Sequence, residues 1–191
     1  MLFRITPSGT LTTLHSFHLM DGADPAGLVQ AADGNFYGTT YSGGSSNSNC
    51  NPGTCGTVFK MTSAGTLTTL HSFDYTDAPN PTAALIQASD GNFYGTTGGG
   101  GNCTTFAGGC GTVFKITSTG TLTTLHNFEK TDGALPTGLV QHTNGTFYGP
   151  TDRFVGAQMC TTPVAATVVA RFSVCLSVWD RFVELRMTPA W

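Results

Sequence analysis

Three histidines recur at one position of a repeated segment and are the first residues to consider for chemistry. His15, His71 and His126 lie 56 and 55 residues apart, each inside a copy of "LTTLHSF" or "LTTLHNF". An imidazole can transfer protons or bind a metal ion. A catalytic histidine is needed only once, whereas a histidine that packs or hydrogen-bonds can recur in every repeat. The recurrence therefore predicts a structural role.

Three aspartates recur in the same way. Asp21, Asp77 and Asp132 each stand four residues before a proline. Such a side chain can cap a turn, while the proline fixes the entry to the next strand. A ring of carboxylates could also bind calcium, but calcium takes about six to eight oxygen ligands and each segment offers one such aspartate. We favour turn capping and predict no metal ion and no cofactor.

Four of the six cysteines form two ordered pairs. Cys50 and Cys55 bracket "NPGT", and Cys103 and Cys110 bracket "TTFAGG". A disulfide within each pair would close a small ring and stiffen a glycine-rich loop. Free thiols and zinc are the alternatives, although separations of five and seven residues miss the tight Cys-x2-Cys spacing of zinc sites. We expect disulfides. The partners of Cys160 and Cys175 are not assigned.

The sequence lacks the signatures of common enzyme sites. It contains no GxSxG elbow, HExxH helix, Walker loop or paired-acid site. The "GGGG" at 98–101 leads to no helix, so we interpret it as a flexible loop rather than a phosphate cradle. Every prominent polar residue is repeated, while an enzyme needs a unique site. The sequence therefore predicts that the protein is not an enzyme.

Composition limits the class of protein. Charged residues make up 10% of the chain, apolar residues 39%, and the net charge is −3, which together favour a folded, turn-rich β protein over a disordered one. Lys and Arg total 8, too few for the basic stripe of a nucleic-acid-binding protein. No apolar run approaches the ~18 residues of a membrane span. No signal peptide is apparent, since the chain starts inside a repeat.

The candidate residues are positioned by a repeat of about 55 residues, visible also in the two copies of "NFYGTT" at 35–40 and 92–97. One repeat contains four short segments with strand character, at 57–62, 67–73, 83–89 and 92–97. Turn signals separate the first pair and the second pair. This pattern predicts an all-β fold, a β-propeller-like array of about three four-stranded antiparallel blades. A β-solenoid and a β-sandwich are the alternatives.

Strand parity divides the connections between two faces. In a meander, successive connections alternate between the two ends of the sheet, so the tight turns share one face. The longer connections share the other; they cover residues 18–25, 41–55, 74–81 and 98–110, and they include Asp21 and Asp77, while Asp132 recurs at the same place of the next repeat. We call the surface made by these four segments and by the corresponding loop around Asp132 the long-loop face. Binding surfaces tend to lie on such loops, so this is the candidate ligand-binding face. Alternation also predicts that His71 shares a strand face with Leu67, Thr69 and Phe73.

The residues "ALIQASDGNFYGTT…GCGTVFKITSTGTLTTLHNF" resemble a known family, the GloVer tandem repeat of bacterial choice-of-anchor proteins. The resemblance covers residues 2–151. It implies export and attachment at the cell surface, and an exported compartment would permit the disulfides. It implies no catalytic residue and no ligand. The chain departs from the family after Thr151, and residues 152–191 read as an atypical, degenerate segment without a recognisable anchor.

Counting blades from the inner strand gives complete units at 26–73 and 82–128, within repeats that cover 1–151. Half units remain at 2–17 and 137–150. The halves are complementary, but three blades fall below the four to eight usual for a closed propeller. We therefore expect them to pair only in an oligomer, unless the chain stays an open arc needing further blades.

These observations predict a non-enzymatic repeat scaffold or binding module of an extracellular or cell-surface protein. Its partner, a protein or a glycan, would bind the long-loop face, and self-association is a further expectation. A propeller enzyme acting on glycans is one alternative, and a truncated fragment of a longer repeat protein is another.

Overall fold

A computed structural model describes residues 1–45, 55–103, 109–129 and 131–153. Cys50 and the segment from 154 onward, with Cys160 and Cys175, lie outside these ranges. The prediction of a degenerate 152–191 segment therefore falls almost wholly outside the described residues.

Within the described ranges the chain forms β-strands and no helix. Short runs rich in Thr, Val, Phe and Leu, separated by Gly-containing turns, account for this because β-branched and aromatic side chains suit a pleated surface. The strands are β1 Leu2–Ile5, β2 Leu11–His15, β3 Ala23–Gln30, β4 Phe36–Ser42, β5 Thr57–Met61, β6 Leu67–Ser72, β7 Ile86–Gln87, β8 Phe93–Thr97, β9 Thr112–Ile116, β10 Leu122–Asn127, β11 Ala134–Pro136, β12 Val140–Gln141, β13 Phe147–Tyr148 and β14 Thr151–Arg153.

The strands pair as antiparallel meanders. Sheet A is β1–β2, sheet B is β3–β4–β5–β6, sheet C is β7–β8–β9–β10 and sheet D is β12–β13, while β11 pairs with β14. The last four strands repeat the start of sheet B: β11 and β12 correspond to β3, and β13 and β14 to β4. The predicted all-β architecture of antiparallel four-stranded units is confirmed for sheets B and C.

Tight turns join the strands at one end of each sheet. Gly65 donates its N–H to Thr62 O at 3.0 Å, and Gly91 donates to Ala88 O at 2.9 Å. Both glycines adopt positive φ, 92° and 78°, a conformation that a side chain would strain. These turns therefore fix the register of the hairpins on either side.

Two local irregularities modify the predicted strands. In β6, Phe59 pairs with Thr69 but the neighbouring Val58 pairs with His71, so Leu70 is bulged. The predicted simple alternation along 67–73 is interrupted there. In sheet C, the inner strand shrinks to the two residues of β7, because one more residue separates Pro81 from Gln87 than separates Pro25 from Gln30 in sheet B.

Successive sheets pack through contacts that repeat. The ring of Tyr37 stacks on Phe93 of the next sheet, and Phe73 meets Phe114 edge to face at 5.4 Å. A polar bond accompanies them, from Thr39 Oγ1 to Ala83 O at 2.9 Å. The core therefore lies between the sheets, and burial of large aromatic side chains there stabilises the array. The main cluster comprises Ala31, Tyr37, Cys55, Val58, Phe73, Leu85, Phe93, Phe114 and Ile116.

Candidate functional site: the long-loop face

The recurring histidines and aspartates meet on this face. Each histidine is the last or second-last residue of a strand, and the aspartate lies six residues further on, after the chain has turned. The imidazole Nε2 donates to the carboxylate Oδ2 in all three repeats: His15 to Asp21 at 2.9 Å, His71 to Asp77 at 2.5 Å and His126 to Asp132 at 2.8 Å. The sequence analysis predicted a structural role for the histidines and for the aspartates, but it did not predict that each histidine binds an aspartate.

The second carboxylate oxygen of each aspartate caps the turn. Asp77 Oδ1 accepts the N–H of Asp74 at 2.7 Å. The same bond, also at 2.7 Å, runs from His18 to Asp21 and from Glu129 to Asp132. Turn capping by these aspartates is what the sequence analysis favoured. Each carboxylate thus bridges the end of one strand and the loop that leaves it.

A phenylalanine fixes each imidazole from the side. His71 meets Phe73 edge to face, with ring centroids 5.0 Å apart and planes at 85°, and the other two repeats match closely. This geometry is favourable for aromatic rings. The imidazole is therefore held by a ring on one side and a carboxylate at Nε2.

Electrostatics at the third pair favour the ionised carboxylate. Burial raises the pKa of Asp132, but the hydrogen bonds from the Glu129 N–H and from His126 outweigh it, so the pKa lies below its ordinary value. In the described ranges, no group of three or more His, Cys, Asp or Glu side chains is placed to hold a metal ion. The geometry of the three His–Asp pairs is suited to holding the loops in position.

The tips of the long-loop face carry exposed apolar side chains. Leu19 is 59% exposed, Met20 66%, Tyr41 49% and Tyr75 59%. Leu19 and Tyr75 occupy the same place in two repeats, two residues before the capping aspartate. The backbone beneath them is fixed, since Gly44 N–H donates to Leu19 O at 2.8 Å.

Strained backbone lies beside these tips. The residue before each loop proline adopts positive φ: 55° at Asp24, 63° at Asn80 and 55° at Leu135. This conformation is disfavoured for a residue with a side chain and before proline. At two of these residues the neighbouring unit holds it in place, because Asn80 N–H donates to Cys55 O at 2.8 Å and Leu135 N–H to Cys110 O at 2.7 Å.

A disulfide joins Cys103 to Cys110, with Cα atoms 5.5 Å apart. Cys55 is also disulfide-bonded. The bridge at Cys103 and Cys110 is the one predicted within that loop, and Cys50 of the other predicted pair lies outside the described residues. Since Cys110 also accepts the bond from Leu135, the disulfide loop supports the strained backbone of the next unit.

The opposite face has its own repeated network. Asp33 Oδ2 accepts bonds from Asn35, Tyr37 and Lys60, at 2.9, 2.9 and 3.3 Å. Asp90 repeats this with Asn92, Tyr94 and Lys115. Hydrogen bonds from Asn92 lower the pKa of Asp90 to about 2, and those from Asn35 lower the pKa of Asp33. These carboxylates stabilise tight turns.

The chain matches a known family of repeat proteins. A family model described as the Gloeobacter/Verrucomicrobia repeat matches residues 1–162. The chain belongs to this repeat family. The resemblance stated from the sequence is thereby confirmed for the repeats.

Beyond this repeat family, similarity is remote. No curated protein matches the chain. A crystal structure provisionally assigned as a gluconolactonase is 15% identical, with a TM-score of 0.46, over 75% of this chain and 47% of that one. The chain thus spans about half the length of that protein. In the described part of this repeat protein, no helix is long and apolar enough to cross a membrane.

Proposed function

We propose that the chain is a non-enzymatic binding module of an exported protein, with its sheets arranged as blades of a β-propeller and its ligand on the long-loop face. The observation that carries this proposal is the threefold recurrence of the His–Asp pair with both carboxylate oxygens engaged. Three equivalent pairs that each fix a loop are what a scaffold needs, whereas catalysis needs one distinctive site.

The propeller arrangement is supported by the topology. Sheets B and C are four-stranded meanders in sequence order, and each packs on its neighbour through equivalent aromatic contacts. Radial repetition of such sheets protects their edges.

Variation at fixed positions supports a binding role. The frame residues Asp21 and Asp77 are identical, yet the exposed position two residues earlier holds Leu19 in one repeat and Tyr75 in the next. A rigid frame with variable tips is the arrangement by which loops acquire specificity. Because the tips combine Leu, Met and Tyr, and Tyr and Met are enriched at protein interfaces, the favoured ligand is a protein.

Export is supported by the Cys103–Cys110 disulfide, since such bonds persist in oxidising compartments and are rare in the cytosol. Repeat-family membership is consistent with the predicted cell-surface location.

The test is a binding screen of the full chain against arrays of secreted proteins and of glycans. A protein ligand should be found, and binding should weaken about tenfold or more in a variant carrying Leu19→Ser and Tyr75→Ser, because two exposed anchors are lost. The matched control is Leu11→Ser. Leu11 is 54% exposed and lies beside the tight turns, on the face opposite the long-loop face. It should bind like wild type.

Two results would overturn the proposal. One is a ligand whose binding the tip variant leaves intact. The other is turnover of a polysaccharide that a single substitution abolishes, which would favour the glycan-cleaving alternative. A glycan ligand lost in the tip variant would keep the binding face and correct the ligand class.

A further inference from the structure

The two ends of the array are halves of one four-stranded unit. Sheet D contains the first two strands of such a unit, and sheet A contains the last two. In sheets B and C these halves are joined by pairing of the second strand with the third. The corresponding edges here are those of β13 and β1.

Side chains along both edges are exposed where their counterparts are buried. Phe3 of β1 is 52% exposed, while Phe59 and Phe114 in the same position are 0% exposed. Tyr148 of β13 is 55% exposed, against 0% for Tyr37 and 7% for Tyr94. Both edges therefore present the groups that the complete sheets bury.

The surface of sheet B facing the missing strands is also uncovered. Leu28 is 38% exposed, whereas its equivalent Leu85 in sheet C is 2% exposed. Phe36 is half-buried, whereas Phe93 is 1% exposed beneath Tyr37. In a complete array, the first two strands of the preceding unit would cover Leu28 and Phe36. Sheet D has the sequence of those two strands.

The complete sheets dictate how the two edges would match. Tyr37 pairs with Lys60 and Tyr94 with Lys115, so Tyr148 would pair with Arg4. One residue further along, Gly149 would lie opposite Phe3.

That glycine suits its predicted neighbour. At Gly38 and Gly95 an added Cβ would lie 2.6 Å from the ring of Phe59 or Phe114, so only glycine leaves room for the crossing phenylalanine. Gly149 retains the glycine, which its own inner strand also requires because an added Cβ would lie 2.3 Å from Gly138 O, and Phe3 would supply the ring.

A proline on this edge does not obstruct pairing. Pro150 O accepts the N–H of Thr137 at 3.1 Å, as Thr96 O accepts that of Thr82. The N–H and C=O of one strand residue point to the same side, so the backbone of Pro150 faces the inner strand. Its missing N–H is therefore not required on the outer side.

We propose that a second copy of this chain is the partner of these edges, with β13 of one copy pairing to β1 of the other. In the described part of the chain β1 pairs only with β2 and β13 only with β12, and Phe3 and Tyr148 are both exposed, so the two edges do not pair with each other. Two copies joined reciprocally contain two complete sheets each and two composite sheets. These six fall within the roughly four to eight blades of closed propellers, and a cyclic dimer leaves neither edge open.

Sedimentation of the full chain tests the association. We expect a dimer that does not grow further as concentration rises. Tyr148→Ala and Phe3→Ala should each raise the dimer dissociation constant about tenfold or more, because each removes a buried aromatic contact. Thr68→Ala, at an exposed residue on β6 and outside the composite sheet, is the control and should change it less than about twofold.

A cross-link tests the register directly. A copy carrying Arg4→Cys is mixed with a differently tagged copy carrying Tyr148→Cys and oxidised. Directly opposed strand residues are close enough for a disulfide, so a covalent heterodimer is expected. Replacing Arg4→Cys by Ser118→Cys, at an exposed turn, should abolish it.

Three outcomes would overturn the proposal. These are a monomer at all concentrations, open-ended growth into longer species, and an intrachain bond in a chain that carries both Arg4→Cys and Tyr148→Cys. The last would mean that the chain closes on itself.

Discussion

Tyr37 stacks on Phe93 of the next sheet, with ring centroids 4.0 Å apart and planes at 25°. Tyr94 and Phe147 repeat the contact at 4.3 Å and 31°. The Tyr37 hydroxyl also donates to Asp33 on the turn face. One side chain thus links the packing between sheets to the turn within a sheet, so the cohesion of the array depends on it.

Removing the ring beneath Tyr37 should therefore destabilise the array strongly. We expect Phe93→Ala to lower the free energy of unfolding by about 3–5 kcal/mol, since it leaves a cavity at a fully buried aromatic site. Tyr75→Ala, at a position that is 59% exposed, should cost less than about 1 kcal/mol. Urea denaturation measures both, and equal costs would contradict the assignment of the core to the space between sheets.

The turn carboxylate predicts a pH dependence. The pKa of Asp90 is about 2 in the folded chain, against a usual 3.8. Because the folded pKa is depressed, the stabilisation is present above about pH 4 and is lost as pH falls towards 2. Asp90→Asn should flatten the stability profile in that window. Thr68→Ala, at an exposed site that carries no titratable group, is the control and should leave the slope unchanged.

Oxidation should be measurable at the disulfide loop. Peptide mass spectrometry without reductant should recover Cys103 bonded to Cys110. Replacing both by serine should cost about 2 kcal/mol, because the unfolded chain regains the freedom of a short loop. Rapid alkylation of both thiols in unreduced, exported protein would contradict this prediction.

The repeated segments made the strands predictable, but not all their contacts. "NFYGTT" and "LTTLHSF" carry β propensity and bracketing turns, and they form strands in sheet B as expected. The pairing of His71 with Asp77 was not foreseen, because a chain reversal separates them and no local periodicity brings their side chains together. The Tyr37–Phe93 stack depends on packing between sheets, which pairing signals within one repeat do not specify. The available signal for the His–Asp pair was that both residues recur, six positions apart, in all three repeats.

The central claim is that the recurring His–Asp pairs hold the long-loop face in place rather than perform chemistry. Hydrogen exchange of the Asp74 amide, which donates to Asp77 Oδ1, tests it most directly in wild type, Asp77→Ala and Asp77→Asn. We predict exchange about tenfold or more faster in Asp77→Ala. Asp77→Asn should stay close to wild type, since its amide oxygen can still accept that bond. Unchanged protection in Asp77→Ala, together with a catalytic turnover that both variants abolish, would contradict the account.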